Sequence, residues 1–277
     1  MPQIRRIASL SHVNLIAKDF IVKAADSAQS SFWTRSHYLD RMTLRDLVIA
    51  YFQHYTIMVY IACIVASLVV FAFYPIGWLR TLECVVFAYL AWHAVWYAIH
   101  RWIMHGHWML KLPFFASTWK RIHYDHHQDP NHLEVLFGAL IHTLPTLAIA
   151  TWIVGYAIGG IGGAAAAFTT ALIVTCYNEF IHCIQHLAFK PSNPMIARLK
   201  VRHLLHHFHA ENGNFGIANN HWDWLFGTLY ERPGERSKSK TVFNLGYTPE
   251  VAERYPWVAE LSGGVTEGHP RQRKRDQ

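Results

Sequence analysis

Charge is scarce in this sequence. Asp, Glu, Lys and Arg make up 16% of its 277 residues, against about 25% in ordinary globular chains. So little charge leaves a chain poor in solvated surface. Cysteine is scarce too: Cys63, Cys84, Cys176 and Cys183 lie in or beside apolar stretches and form no CxxC pair. That disfavours a disulfide framework or a cysteine zinc site, and we read them as small hydrophobes. No basic–aromatic stripe is present, so nucleic acid is not an expected partner. No GxGxxG fingerprint or iron–sulfur cysteine pattern occurs. The first 50 residues carry Arg5, Arg6, Lys18, Lys23, Arg35, Arg41 and Arg45 without a long apolar core, so no secretory signal is expected there.

What the chain does have is apolar length. Hydrophobic residues make up 52%. A capping-box sequence, "TLRD" from Thr43, is expected to start a helix that runs into the first apolar stretch. That stretch, 55–74, has 20 residues and no charge, and a helix needs about 20 to cross the hydrocarbon core. Further stretches follow at about 81–100, 135–157 and 162–181. Pro75 and Gly77 mark the first turn, and Gly155, Gly159, Gly160, Gly162 and Gly163 a second, tight connection. Of the 25 Lys and Arg, Arg80 alone falls in a loop on the far side. The positive-inside rule then puts both termini and the 101–134 loop in the cytoplasm. The expected fold class is all-α: an integral-membrane bundle of four transmembrane helices in two hairpins, with a cytosolic helical cap. Residues 1–50 are expected to form a cytosolic or interfacial segment, 51–260 the membrane-embedded domain, and 261–277 a disordered basic tail. The membrane is the bacterial inner membrane or the endoplasmic reticulum.

Histidine is abundant, with 20 residues against 18 Asp and Glu together. The second apolar stretch ends in "HRWIMH" (His100, His105). After 17 residues comes "HYDHH" (His123, His126, His127). The fourth ends in "HCIQH" (His182, His186), and after 16 residues comes "HLLHH" (His203, His206, His207). The two halves repeat at an offset of 80 to 82 residues, five histidines each. Positions i, i+3 and i+4 share a helix face, so His126 and His127 lie above His123, and His206 and His207 above His203. His100 and His105, at i and i+5, fall about 140° apart on an ideal helix, so one of them is expected at the helix end, near Gly106. Ten imidazoles from four segments, just below the membrane, are too many for one ion and point to two. All-nitrogen sites suit Zn, Fe, Cu or Ni. A zinc hydrolase needs about three protein ligands, and haem ligation does not fit the clusters. Two irons acting with dioxygen fit best. His12, His37, His54, His93, His142 and His269 fit ordinary core or surface roles, while His107, His132, His209 and His221 are candidates for orienting ligands.

The four boxes in order, with the closing "NFGIANNHWDWLFGTLY" (214–230), resemble the fatty acid hydroxylase superfamily of integral-membrane di-iron enzymes, which includes sterol desaturases. The likeness covers about residues 85–230. It implies ligand roles for His100, His105, His123, His126, His127, His182, His186, His203, His206 and His207, with the dimetal centre itself as the catalyst. Asn178 and Glu179, one turn before His182, are candidates to support the ligands. Asp125 is expected off the ligand face, and Asp223 is expected to anchor the cap at the interface. The implied reaction inserts one atom of O2 into a C–H bond of a membrane lipid: a fatty acyl chain, a sterol or hopanoid, or an aminolipid. The expected cofactors are two iron ions, with zinc possible in purified protein. Electrons come from a separate reductase, ferredoxin or cytochrome b5-like protein. Lys111, Lys120, Arg121, Arg198, Lys200 and Arg202 are candidates to dock an acidic carrier. A desaturase with the same site, and more distantly a metal transporter, are the alternatives. Substrate, oligomeric state and organism stay open.

Overall fold

The computed structural model describes residues 37–265 and 268. Most of the N-terminal segment and of the basic tail, with His12 and His269, lies outside the described residues. Among the described residues all regular structure is helical, and the single β-bridge joins Tyr38 to His132. Three segments are long and apolar enough to cross a membrane: Tyr55–Phe73, Trp78–Lys111 and Leu133–His186.

Helix α1 (Leu44–Gln53) begins with the expected capping box. The Thr43 hydroxyl accepts from the Asp46 N–H, and the Asp46 carboxylate accepts from the Thr43 N–H. It does not run on into the apolar stretch. His54 is extended (φ −71°, ψ 129°) and its ring nitrogen caps a new helix, α2 (Tyr55–Phe73). Helix α3 (Trp78–Ala98) returns from a turn at Pro75 and Gly77. Three short helices follow, α4 (Pro113–Trp119), α5 (Asp125–Gln128) and α6 (Leu133–Leu136). The third apolar stretch is interrupted after Leu136, where Phe137 is extended, and the long helix α7 (Leu140–His186) starts only at Leu140.

The glycine-rich connection is tight, as expected. Gly159 and Gly160 alone leave helical geometry, Gly160 at φ 59°, and they divide α7 into two arms. The arms fold back on each other: a Cβ on Gly163 would sit 2.1 Å from the Gly155 carbonyl oxygen. Glycine is required there because the backbones touch, as at small-residue interfaces in lipid. Arg80, at the same end of the bundle, donates to the Ile158 carbonyl.

Both α2 and α3 pack on α7. Small side chains bring α3 close, with Cys84 and Ala88 against Ala166 and Ala167. Polar groups inside are matched: Ser67 donates to the Ala165 carbonyl and the Trp92 indole N–H to the Thr175 hydroxyl. Beyond the bundle, α8 (Pro194–Phe208), α9 (His221–Leu225), α10 (Pro249–Arg254) and α11 (Trp257–Ser262) follow. A second apolar core joins Trp119 and Tyr124 to Leu245, Tyr247 and Val258. It fastens the C-terminal residues over the loop that carries the first histidines.

Candidate metal centre

The five-residue spacing of the first box is accommodated by a change of helix type. Residues Ile99–Met104 form a π-helical turn, and the His105 N–H donates to the His100 carbonyl at 3.1 Å. An i→i+5 ring brings positions five apart to one side, which an α-helix would not. His105 also caps the turn, as expected from its position beside Gly106. A second π-helical turn, Lys120–Tyr124, carries His123 and leads into α5, which carries His126 and His127. His182 and His186 close α7, and His203, His206 and His207 lie on the last turns of α8.

These ten residues come together, but not half by half. His126, His182, His186, His203 and His207 form one group with their ligand atoms within 4.8 Å of one another. His100, His105, His123 and His206 form another, and His127 joins His206 and His207 in a third, bridging group. His126 and His206, the middle histidines of the two HxxHH boxes, each stand with the histidines of the other half.

The distances fit bound cations. Nε2 atoms face each other at 3.2 Å for His100–His123, 2.8 Å for His123–His105, 3.1 Å for His126–His182 and 2.9 Å for His186–His203. Two nitrogens each about 2.0–2.1 Å from one metal ion lie about 3 Å apart. The outer nitrogens of three ligands are bound to backbone: His100 Nδ1 donates to the Phe215 carbonyl, His127 Nδ1 to Val242 at 2.8 Å and His206 Nδ1 to Gly213 at 2.7 Å. A neutral imidazole has one N–H, so each of these leaves an Nε2 lone pair aimed inward. The Nε2 atoms of His127, His206 and His207 are buried without a hydrogen-bond partner. Buried lone pairs converging with no donor are costly, and a cation satisfies them all.

Burial first, and neighbouring imidazoles second, push His123, His126 and His203 well below the ordinary histidine range. Burial likewise lowers His206 to about 4, partly opposed by its bond to Gly213. The neutral, metal-binding form is thus favoured near pH 7.

The residues expected to support the ligands divide. Asp125 points away and pairs with Lys120 at 2.7 Å. His209 binds the Arg236 carbonyl, His107 lies against Gly246, and His221 is exposed. The Asn178 side chain is buried with neither polar atom partnered. Asp223 is fully buried. Its carboxylate accepts from the N–H groups of Phe215 (2.8 Å) and Gly216 (2.7 Å), from the Asn220 amide (3.0 Å) and from the Thr228 hydroxyl (2.7 Å). It therefore fixes the loop whose Phe215 carbonyl orients His100. The 214–230 segment was recognised by its likeness, but the carbonyls of Phe215, Gly213 and Val242 were not, because a carbonyl acceptor leaves no side-chain signature. Of the basic residues considered for docking, Lys120, Arg121, Lys200 and Arg202 are engaged within the chain.

Beside the histidines lies a cavity of about 260 Å³ between α3 and α7, lined mainly by apolar side chains with Glu179 and His142. His142, Val95, Thr146 and Ala150 on its wall are exposed on the apolar flank of the bundle. Ile99, Met104 and Ile122, each next to a histidine of the centre, line it too.

Known proteins resemble this arrangement. Two dihydroceramide fatty acyl 2-hydroxylases of Arabidopsis thaliana are 30% and 27% identical to it, over 52% and 56% of this chain and 60% and 63% of theirs. A fatty acid 2-hydroxylase of Mus musculus is 25% identical over 52% of this chain and 38% of its own. The chain thus spans less than two thirds of the length of these relatives. A solved structure, full-length Scs7p with only its hydroxylase domain visible, superposes with a TM-score of 0.53 over 73% of this chain and 71% of that one, at 21% identity, and supports the fold. The family model for fatty acid hydroxylase matches residues 85–228, which hold every box and the loop that orients His100: the chain belongs to the fatty acid hydroxylase family.

Proposed function

We propose that this protein is an oxygen-dependent lipid hydroxylase in which the ten histidines hold two metal ions, iron being the metal that supports turnover. The observation that carries the reading is the pair of buried histidine groups, their inward lone pairs unmatched by any donor, beside a laterally open apolar cavity. His182, His186, His203, His207 and His126 would hold one ion. His100, His105, His123 and His206 would hold the other, with His127 between them. When bound, the two irons supply the reduction of dioxygen, so that one oxygen atom enters a C–H bond and the other leaves as water, with two electrons and two protons consumed.

The chain's own residues prepare the site. The backbone carbonyls of Phe215, Val242 and Gly213 fix three rings in the ligating tautomer. Burial keeps bulk water off the centre and the imidazoles neutral. The cavity offers an acyl chain a path in from the bilayer, with the wall residues Ile99, Met104 and Ile122 placing it beside the metals. The names of the plant relatives favour an amide-linked acyl chain attacked near its polar end. We further propose four spans, counting each arm of α7, with termini and metal centre on the cytoplasmic side, a membrane domain over 51–260, and a separate electron-transfer protein as donor. The test is metal analysis and lipid mass spectrometry on cells expressing the wild type or His126→Ala. The expected result is iron in the wild type, a lipid product heavier by one oxygen, and loss of both in the variant. A product lighter by two hydrogens would indicate a desaturase. A wild type that holds metal yet changes no lipid would sink the enzyme reading.

A further inference from the structure

The polar groups on the cavity wall are mostly spent within the helices themselves. The hydroxyls of Thr146, Thr151 and Thr175 each donate to the carbonyl one turn back at 2.7 Å. Thr143 shares a hydrogen bond with the Tyr60 hydroxyl at 2.7 Å. Glu179 differs. It is 2% exposed, lines the cavity, and accepts a hydrogen bond from the backbone N–H of Gly138. A carboxyl offers about four acceptor positions, so capacity remains on the cavity side. Its place along the cavity is equally specific. It lies three residues before His182 on α7, and Met104 and Ile122, which precede His105 and His123, share its wall. The far wall, at Phe87 and Ala150, is apolar. A single buried carboxyl thus marks the metal end of a cavity whose wall also carries the unpartnered indole N–H of Trp96 and is elsewhere mainly apolar.

We propose that Glu179 receives a hydrogen-bond donor, an amide N–H or a hydroxyl, on the polar end of the bound lipid, and so selects chains that carry such a donor close to the carbon placed at the metals. This rests on the reading of the cavity as the lipid site. Oxygen esters and thioesters carry no donor there and leave the carboxyl unmatched, which is how a buried polar group discriminates against an analogue lacking its partner.

The experiment measures binding rather than turnover. Purified metal-loaded protein in detergent is given an environment-sensitive fluorescent fatty probe, which is displaced by three ligands of equal chain length: N-methylpalmitamide, cetyl alcohol and methyl palmitate. In the wild type the amide and the alcohol are expected to bind about tenfold tighter than the ester, the gain of about one hydrogen bond to a buried acceptor. Glu179→Met should erase that preference while leaving the ester's affinity and the metal content unchanged. Glu179→Gln, which keeps a carbonyl acceptor, should retain it. Equal binding of all three ligands by the wild type, or an unchanged preference in Glu179→Met, overturns the proposal. If Glu179→Met no longer takes the ester, Glu179→Ala is measured in the same way and decides by the same ratio. A binding preference that depends on Glu179 in a protein yielding no hydroxylated lipid would sink the functional reading alone.

Discussion

Asp223 is the residue whose removal should reveal how the 213–228 segment serves the candidate metal centre. Its carboxylate is fully buried and accepts four hydrogen bonds, from Phe215, Gly216, Asn220 and Thr228, all at 3.0 Å or less. Asp223→Ala strands four donors in the interior. An unmatched buried donor costs about 1–3 kcal/mol. Relaxation and entering water recover part of that, so we expect a net loss of about 3–5 kcal/mol, at the high end for single substitutions. In a domain of this size each kcal/mol lowers the melting temperature by about 2–4 °C, which puts the shift near 10 °C in detergent. The loss should be local in its chemistry. The freed loop no longer holds the Phe215 carbonyl against His100, and removing such a support typically costs about 10–100-fold in metal affinity. Chelator titration should therefore strip one ion from Asp223→Ala well before the other, where the wild type releases both late. A variant that melts within about 2 °C of the wild type and holds both ions equally well would refute the reasoning.

Further outcomes follow from the same geometry. His126→Ala removes a ligand from the five-histidine group although it lies in the first half of the sequence, so metal analysis should find the group around His182 and His203 depleted first. His206→Ala should do the reverse and deplete the group around His100 and His105. Because burial lowers His206 to about 4 from an ordinary value near 6.5, the unfolded chain binds the proton more readily. Metal-free protein should then lose stability as pH falls from about 6.5 toward 4 and show no loss from this group above that window; denaturant midpoints across that range check it. Gly163→Ala places a Cβ against the Gly155 carbonyl and should force the arms of α7 apart, lowering the melting temperature by several degrees through overpacking of about 1–3 kcal/mol, whereas alanine at Gly77, where nothing lies within 4 Å, should be nearly neutral.

Much of this protein was legible before any coordinates. The apolar stretches, the capping box at Thr43 and the ten repeated histidines are local or periodic signals, and the structure places those ten together. Other features were not legible because they depend on meetings between distant parts of the chain. The five-residue spacing of His100 and His105 looked irregular until a π-helical turn brought them to one side. The glycine run read as a tight connection, and so it is; what the sequence did not show is that only Gly159 and Gly160 leave the helix, while Gly155 and Gly163 serve close approach of backbones. Asp223 sits between two tryptophans in sequence, which suggests an interface; its actual partners, the Phe215 and Gly216 amides, are reached by a turn that periodicity does not encode.

The sequence by itself determined which residues can ligate a metal and that they cluster at or just beyond the ends of apolar stretches, since residue type and spacing are properties of the chain alone. Only the tertiary structure decided which histidines stand together. That choice follows from how the two halves pack: each middle histidine stands with the opposite group, and the carbonyls of Phe215, Val242 and Gly213 turn the rings of His100, His127 and His206 so that their lone pairs converge.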